Sequence, residues 1–532
     1  MSQPTKKQHV LTRAVDADVI ATSDAYSKEL DLQIGRYFYA TNTPFLHADH
    51  SEFKKMLNAL RPGYKGPTSY QIGGPILNEV YDDILKECKN TIQGQTVCMS
   101  LDGWSNVHNE PVVCCSIITQ NGESFLVDTI ETGAESHTAE YLKTMALKAI
   151  KKTETQFEVK VKSFVTDNTG NVQKMRSELE KQIGIIQYGC SAHILNLLAK
   201  DLEIPSATSN IIKLIKYFRN KHVPSGLYRD AGGKKLVMPL EIRWSTMNNA
   251  LKSFLDNRGV LVQLCQDHKD AIESDIIKIV NDAQIAINAN DLIARLDPIA
   301  IALDRVQRDY TTISICVEVW HKLEMDLSQQ PLSVKKSFFK RKNMALGPIH
   351  YLANIMDHRF LGRHLTSTQK GEAFEYLNNI NSAFIPFVMS LMSKVTPFPK
   401  YFFGDHFRVT PPITWWKSVP VADLDWPDKS TFLQLCEQLH SAVASTAAIE
   451  RTFSSFGLIQ SDLRNRLGNQ KASKLVFMFK CMNQNIDKKK TNLEWAWEPD
   501  RSAESEVSVT NIDINSINGS SDDDMPISML IK

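Results

Sequence analysis

The stretch TVCMSLDGWSNVHNEPVVCCSIITQNGESFLVDTIE, residues 96–131, contains three apolar runs rich in Val, Ile, Cys and Phe, which are typical of β-strands. Asn121-Gly122 separates the second run from the third and is a strong β-hairpin signal. The first run ends at Asp102. We therefore expect three consecutive strands, with a carboxylate at the end of the first.

After this stretch, strand patterns alternate with helical patterns. Residues 138–152 favour a helix, and residues 157–167 favour a strand that ends at Asp167. A further helix, a short strand and another helix follow. The resulting order, β-β-β-α-β-α-β-α, predicts an α/β fold class with an RNase H-like mixed sheet. In such a sheet, the strand ends that carry Asp102 and Asp167 are neighbours.

The rest of the chain is mainly helical in pattern. The segment 201–425 is too long to be a loop, so we expect a large all-helical insertion domain within the sheet domain. A helical pattern resumes at Thr431 and runs through Glu450. The expected organisation is a disordered N-terminus at 1–30, a helical N-terminal region at 31–90, the first part of the RNase H-like domain at 91–200, the insertion at 201–425, the last part with a C-terminal dimerisation region at 426–486, and a disordered tail at 487–532.

The composition is that of an ordinary globular protein. Of 532 residues, 42% are hydrophobic and 23% are charged, and the net charge of +1 does not by itself indicate a nucleic-acid binder. Neither a signal peptide nor an apolar run of about 18 residues is recognisable, so we expect no membrane partner. The nine cysteines are scattered and odd in number, which favours reduced thiols in the cytosol or nucleus.

The stretch HSAVASTAAIERTFSSFG, residues 440–457, combines a run of small residues with an apolar helical stripe. Ile449, Phe453 and Phe456 fall at i, i+4 and i+7, and the small residues would let this helix approach another element closely. Glu450 is either a surface charge at the edge of the helix or a group aimed into a site. A lone Asp at a strand end is usually a turn residue or a helix cap, and a lone helical Glu is usually solvated.

A set of three carboxylates has a chemistry of its own. Asp102, Asp167 and Glu450 together would suit two Mg²⁺ or Mn²⁺ ions, which prefer oxygen ligands and retain waters for substrate phosphates. Two such ions about 3.5–4 Å apart activate a water on one side of a phosphodiester and stabilise the leaving oxygen on the other. No structural zinc is expected, because the C-x-x-H of Cys190 and His193 supplies only two of its four ligands.

Several blocks of the sequence resemble the hAT-superfamily transposases. They are SLDGWS at 100–105, TDNTGN at 166–171, CSAH at 190–193, the Arg-Trp pair of EIRWSTM at 241–247, and SAVASTAAIERTFSSFG at 441–457 with DLRNRL after it. The first block also resembles the domain of unknown function (DUF659) that often precedes the hAT C-terminal dimerisation region. The resemblance covers residues 30–485.

The resemblance implies an RNase H-like catalytic domain interrupted by a helical insertion. It implies that Asp102, Asp167 and Glu450 are the acidic catalytic triad and bind the metal ions, and that the protein acts on DNA in the nucleus. Cys190 and His193 match a family motif near the active site, although a buried Cys190 with a capping His193 is an equal alternative. The N-terminal BED zinc finger, with which the family usually recognises its DNA ends, is not recognisable in this sequence.

Two groups of residues are candidates for DNA contact. In the family's Arg-Trp pair, here Arg243 and Trp244, the tryptophan is expected to stack on an extruded base and the arginine to hold nearby DNA, whereas a core tryptophan is the alternative. The stretch KKSFFKRK suits a nucleic-acid strand or a phosphate, and a basic rim around half-buried Phe side chains is the alternative. Its basic residues are Lys335, Lys336, Lys340, Arg341 and Lys342.

The run LVFMFKCM at 475–482 is more apolar than a surface helix should be. The resemblance assigns this region to dimerisation, and burial against a second copy of the chain would explain its composition. The residues expected at this homodimer or higher-oligomer interface are Leu475, Val476, Phe477 and Phe479. Burial against the sheet of the same chain is the alternative.

Three functions therefore stand as hypotheses. The first is a hAT-type DNA transposase or transposase-derived nuclease with metal-dependent strand cleavage and transfer, which the complete acidic triad favours. The second is a domesticated, non-catalytic, dimerising nuclear protein that binds DNA or chromatin, which the missing zinc finger favours. The third is an RNase H-like nuclease acting on RNA, which leaves the insertion and the C-terminal block unexplained.

Overall fold

A mixed five-stranded sheet underlies the fold of the computed structural model. Its strands are β1 (Thr96–Ser105), β2 (Pro111–Ile118), β3 (Ser124–Glu131), β4 (Lys160–Thr166) and β5 (Ile186–Gly189). Their order across the sheet is β3-β2-β1-β4-β5; the first three are antiparallel neighbours, whereas β1, β4 and β5 run parallel. The structure describes residues 24–105, 111–132, 138–239, 244–398, 400–418, 428–460 and 467–491.

Four helices precede the sheet. They are α1 (Asp24–Ala40), α2 (Ser51–Leu60), α3 (Ser69–Ile72) and α4 (Pro75–Ile92), with a 3₁₀ turn at Phe45–Asp49. The predicted disorder of 1–30 is wrong for its last residues, because α1 begins at Asp24 and is held by the buried side chains of Phe38 and Tyr39. Residues 1–23 lie outside the described residues.

The sheet has the predicted order of elements. Its helices are α5 (Ala139–Phe157), α6 (Gly170–Ile183) and α7 (Ser191–Asp201), which follow β3, β4 and β5. The hairpin between β2 and β3 turns at the predicted dipeptide, where Gly122 has a φ of +75° that a residue with a side chain rarely adopts. The prediction β-β-β-α-β-α-β-α is thus confirmed, and α/β describes this part of an otherwise mostly helical chain.

Eleven helices make up the described part of the helical region. They are α8 (Pro205–Asn220), α9 (His222–Asp230), α10 (Trp244–Asp267), α11 (Ser274–Asn281), α12 (Ala283–Val306), α13 (Ile313–Asp326), α14 (Leu332–Ala345), α15 (Pro348–Ile355), α16 (Ser367–Asn381), α17 (Ile385–Ser393) and α18 (Pro412–Ser418). Short 3₁₀ turns lie at Ser382–Phe384, Lys400–Phe403 and Asp405–Phe407.

Two hydrophobic cores use opposite faces of the sheet. On β1, Cys98 belongs to one core and Val97 and Met99 belong to the other, as expected when alternate residues of a strand face opposite sides. The core that contains Cys98 continues without a break into the helical region, where it includes Trp320 and Trp416. The helical region therefore shares its core with the sheet instead of forming a separate one.

The C-terminal part consists of α19 (Lys429–Ser441), α20 (Ala447–Ile459) and α21 (Asn469–Thr491). The predicted helix through Glu450 is wrong in one respect, because residues 442–446 are not helical and separate α19 from α20. Their backbone is bonded on two sides: Ala444 N donates to the Thr311 carbonyl at 2.8 Å, and Ser191 N donates to the Ala444 carbonyl at 3.0 Å. The small residues of this segment do allow close backbone contacts, as predicted. The contacts are made by a non-helical segment and not by a helix.

Helix α21 also departs from the sequence-based interpretation. Leu475, Val476 and Phe477 are buried within the chain, and Phe479 is half-buried. The helix packs on α1, α4, α20 and β3. The apolar run is therefore explained by intramolecular packing, and a dimer interface is not needed to cover it. The predicted disordered tail begins too early, because α21 continues to Thr491; the residues after it lie outside the described ones.

Candidate functional site

Asp102 and Asp167 lie at the same edge of the sheet. The parallel strands β1 and β4 pair with Ser100 opposite Val165, so continuing two residues along each strand leads to Asp102 and Asp167. Asp102 remains within β1, where it pairs with Cys114 of β2, and Asp167 directly follows β4. The strand register thus explains why the two carboxylates lie at neighbouring strand ends, as predicted.

The backbone around Asp167 is held by a buried arginine of α6. The Arg176 side chain donates to the Thr166 carbonyl at 3.3 Å, to Thr166 Oγ1 at 2.7 Å and to the Asp167 carbonyl. The Asp167 carboxylate accepts from the backbone N and the Oγ1 of Thr169, at 3.4 and 3.2 Å. Burial lowers the pKa of Arg176 to about 10, against the opposing effect of Asp167, so the guanidinium stays charged at neutral pH.

The end of β5 is fitted closely to the residue after Asp167. A Cβ atom on Gly189 would lie 1.7 Å from Asn168 Oδ1, so a residue with a side chain would displace Asn168. Asn168 Nδ2 donates to the Cys190 carbonyl at 3.3 Å, and Arg176 Nη2 donates to Asn168 Oδ1 at 3.3 Å. The ends of β4 and β5 therefore form one hydrogen-bonded unit.

The same unit receives the start of α20. Thr446, the residue before this helix, donates from its backbone N and its Oγ1 to Cys190 Sγ, both at 3.4 Å. Cys190 N in turn donates to the Thr166 carbonyl at 2.7 Å. These bonds connect the N-terminus of α20 to the end of β4, next to Asp167.

Glu450 lies in the first turn of α20 and is partly exposed. The partial positive charge of a helix N-terminus favours a carboxylate at this position. The helix packs on β1 and β2, and the charge of Glu450 contributes to raising the pKa of both Asp102 and Cys190. Glu450 is therefore within electrostatic reach of the strand ends, and we call Asp102, Asp167 and Glu450 the carboxylate edge.

The carboxylate edge concentrates negative charge, and the neighbouring Arg176 contacts the Asp167 carbonyl and forms no ion pair with its carboxylate. Burial, followed by the charges of Asp167 and Glu450, raises the pKa of Asp102 to about 7, although the Gly103 N–H donates to its Oδ1 at 2.8 Å and opposes the shift. Within the described part of the chain, none of the three carboxylates forms an ion pair with a Lys or Arg side chain. Such a site favours the uptake of a proton or a cation.

The donor set of the carboxylate edge fits a hard divalent cation. Mg²⁺ and Mn²⁺ prefer carboxylate oxygens, and a cation would offset both the burial of Asp102 and its repulsion by Asp167 and Glu450, which together raise its pKa. Among the described residues, no three His, Cys, Asp or Glu side chains are grouped tightly enough to hold a metal ion as they stand.

Residues 67–217 match the family described as a domain of unknown function, DUF659. This domain is found in hAT-like transposase-derived proteins. The matched segment contains Asp102, Asp167, Cys190 and His193, whereas Glu450 lies outside it. A search of curated proteins finds no significant match.

None of the helices that the structure describes has both the length and the apolar character needed to cross a membrane.

Cys190 and His193 occupy different environments at the start of α7. Cys190 is buried, burial raises the pKa of its thiol, and its sulfur accepts the two bonds from Thr446. His193 is half-buried within the first turn of α7. The structure thus gives Cys190 a structural role in joining β5 to α20.

The structure describes the side chains of only one of the two predicted groups of DNA-binding residues. Arg243 and the side chain of Trp244, the first residue of α10, lie outside the described residues. On α14, Arg341 forms a two-pronged ion pair with Asp201, at 2.6 and 2.9 Å, and Lys342 pairs with Glu324. The other three cations of the stretch KKSFFKRK form no ion pair with a described carboxylate; they are Lys335, Lys336 and Lys340.

A half-buried lysine that contacts α20 was not predicted from the sequence. Lys480 of α21 donates to Thr452 Oγ1 at 2.7 Å and to the Ala448 carbonyl at 3.5 Å, and burial lowers its pKa to about 8. On α20, Arg451 pairs with the half-buried Asp309 of the helical region. These contacts fix α20, and with it Glu450, to two other parts of the chain.

Some of the missed residues had a signal in the sequence. Lys480 is the one charged residue of the run LVFMFKCM, and a charge inside an apolar helix is a reason to expect a buried partner. Asn168 lies in the quoted block TDNTGN, and Gly189 directly precedes the quoted block CSAH. Arg176 had no such signal, because it lies in the mostly polar helix α6.

Proposed function

We propose that the chain is a hAT-type DNA transposase or a transposase-derived nuclease that cleaves and transfers DNA strands at the carboxylate edge. The observation that carries this proposal is that the strand register aligns Asp102 with Asp167 while Glu450 is within electrostatic reach of Asp102. A set of three carboxylates that forms no ion pair with a described Lys or Arg suits the binding of metal ions better than the stabilisation of the fold.

The fold supports the proposal. The strand order β3-β2-β1-β4-β5, with an antiparallel β1–β3 part and parallel β4 and β5, is compatible with an RNase H-like sheet. The helices α8 to α18 lie in the chain between α7 and the helix that carries the third carboxylate, as the hAT resemblance implies. The DUF659 match adds a family link for the part that contains the two aspartates.

The residues of the chain have separate tasks in this proposal. Asp102, Asp167 and Glu450 would hold Mg²⁺ or Mn²⁺, which would supply an activated water and stabilise the leaving oxygen of a phosphodiester. Arg176 and Thr169 fix the backbone and the carboxylate of Asp167. The non-helical segment 442–446 is bonded to the strand ends and so sets the position of Glu450 relative to them.

DNA as the substrate and the nucleus as the place of action belong to the same proposal, since they follow from the resemblance. Self-association stays a prediction that α21 does not support, because three of its four proposed interface residues are buried in their own chain and Phe479 is half-buried.

A strand-cleavage assay tests the proposal. The full-length protein would be incubated with Mn²⁺ and a DNA duplex that carries the sequences flanking its gene. We expect cleavage by the unchanged protein and by Glu372→Gln, an exposed carboxylate on α16, and no cleavage by Glu450→Gln. Cleavage that survives the loss of Glu450 would contradict the proposal. DNA binding without cleavage by the folded protein would favour the non-catalytic DNA- or chromatin-binding function.

A further inference from the structure

A cationic cavity lies in the helical region, built from residues that the proposed function does not use. It has a volume of about 280 Å³. Four cationic side chains line it, Arg359, Arg363, Lys394 and Arg408, together with Met392 and Phe403. No Asp or Glu is among its described lining residues. We call it the arginine pocket.

Arg359 is the innermost cation of the arginine pocket, and a buried carboxylate fixes its position. Arg359 forms two hydrogen bonds to the fully buried Asp357, from Nε at 2.8 Å and from Nη2 at 2.6 Å. Ser314 Oγ donates to the same carboxylate at 2.8 Å. Asp357 neutralises much of the Arg359 charge, but the Nη1 donors of this fixed guanidinium are not used in the pair and remain for an anion that the outer cations attract.

The wall of the pocket is fixed by two buried aromatic side chains. Trp415 Nε1 donates to the Phe402 carbonyl at 3.0 Å, and the His358 ring, stacked on Trp415, bonds through Nε2 to the Phe407 carbonyl at 3.0 Å. Burial lowers the pKa of His358, so this ring is neutral and donates its Nε2–H to the carbonyl. The segment that carries Phe403 and Arg408 is therefore anchored.

The outer cations differ in their acidic partners. Lys394 lies over the Phe403 ring at 5.3 Å from its centroid, and no described carboxylate is in ion-pair distance of its ammonium. Arg363 is 3.9 Å from the buried Glu318, a long contact that leaves its guanidinium partly exposed. Arg408 pairs with the exposed Asp405 at 3.1 Å, and an exposed pair of this kind contributes little and is easily exchanged.

The backbone of Lys394 is unusual for a residue with a side chain. It ends α17 in the left-handed conformation, with a φ of +53°, where glycine is favoured. A lysine at this position costs conformational energy, so its ammonium is a reasonable candidate for a binding role.

We propose that the arginine pocket binds one phosphate of a nucleotide, either at a single DNA strand or as a free nucleotide. Arginine guanidinium groups match phosphate oxygens with paired donors, and a lysine adds a point charge. The volume is close to the lower end of ligand cavities, about 300 Å³, and suits one phosphate with its sugar better than a duplex. The proposal does not depend on cleavage at the carboxylate edge.

Binding in EDTA tests the pocket apart from any metal-dependent activity. The probe is a fluorescent single-stranded 12-mer DNA, with AMP and inorganic phosphate as competitors, and the readout is anisotropy. We expect Arg363→Gln and Lys394→Gly each to raise Kd about tenfold, and Lys278→Gln, an exposed lysine on α11, to change it less than about twofold. Lys394→Gly is expected to unfold at the same or a higher denaturant concentration, because glycine suits its φ.

The competitors identify the source of the phosphate. Displacement of the 12-mer by AMP would indicate a free nucleotide, and displacement by unlabelled 12-mer alone would indicate a DNA strand; both outcomes support the pocket. An equal loss of binding in Arg363→Gln and Lys278→Gln would overturn it, because the effect would then be general electrostatics. Binding of a phosphopeptide in place of every nucleotide probe would overturn it as well.

Discussion

The carboxylate edge and helix α14 are both charged, but they differ in how their charges are balanced. The three carboxylates of the edge lie on β1, directly after β4 and on α20, and none forms an ion pair with a Lys or Arg among the described residues. On α14, Arg341 and Lys342 are neutralised by Asp201 and Glu324. Like charges brought together by distant segments require a functional reason, whereas a charged run along one helix can be a solvated and paired surface.

The largest effect is expected from removing the support of the carboxylate edge. Arg176→Met leaves the Thr166 and Asp167 carbonyls without their buried donor, so we expect the free energy of unfolding to fall by about 3 kcal/mol. Urea denaturation measures this change. Arg219→Met on α8, where the arginine is exposed, is the control and should change stability by less than about 0.5 kcal/mol. Equal effects would mean that the strand ends do not depend on Arg176.

A smaller loss of stability is expected from adding a side chain at the end of β5, next to the carboxylate edge. Gly189→Ala would place its methyl group against Asn168, and we expect a loss of about 2 kcal/mol. The matched control is Gly226→Ala in α9, where an added Cβ meets no atom within 4 Å and alanine favours the helix. Thermal unfolding compares the two. A neutral Gly189→Ala would show that Asn168 can leave its position without cost.

The charge balance itself predicts a stabilising substitution. The raised pKa of Asp102, about 7 against an ordinary 3.8, means that the folded state holds a proton that the unfolded state has released. Stability therefore falls as the pH rises from about 4 to 7. Asp102→Asn removes this cost, so we expect it to be more stable than the unchanged protein at pH 8 by about 1 kcal/mol. A loss of stability with unchanged pH dependence would contradict the electrostatic description of the edge.

The smallest effects are expected on α14. Arg341→Gln breaks a partly exposed pair and should lower stability by about 1 kcal/mol, with no change in the salt dependence of DNA binding. The double substitution of Lys336 and Lys340 by Gln should leave stability unchanged. If this surface contacts DNA, that double variant lowers the salt slope of binding by about 2; an unchanged slope would identify α14 as a solvated surface.

The strands were predictable because apolar runs and turn signals are local properties of the sequence, whereas the adjacency of β1 and β4 follows from the RNase H-like order of elements. The Asn121-Gly122 turn and the apolar runs determine β1 to β3, and the ends of β1 and β4 then determine where Asp102 and Asp167 lie. Glu450 was inferred from its resemblance to a family motif, and its charge indeed acts on Asp102.

Tertiary contacts explain what the sequence did not reveal. Residues 442–446 have the composition of a helix, but their backbone groups are bonded to Thr311 and Ser191 of other elements, so the helix breaks there. The apolar residues of α21 do not indicate by themselves whether they face their own chain or a second one. Arg341 looked available for DNA because its partner, Asp201, is distant in sequence.

Mn²⁺ binding tests the central claim, that the carboxylate edge is one divalent-cation site, most directly. Calorimetric titration at pH 7.5 would compare the unchanged protein with Asp102→Asn, Asp167→Asn, Glu450→Gln and the control Glu372→Gln. We expect saturable binding in the unchanged protein and the control, and at least about tenfold weaker binding in each of the three variants. Equal Mn²⁺ affinity in all five proteins would contradict a shared site at Asp102, Asp167 and Glu450.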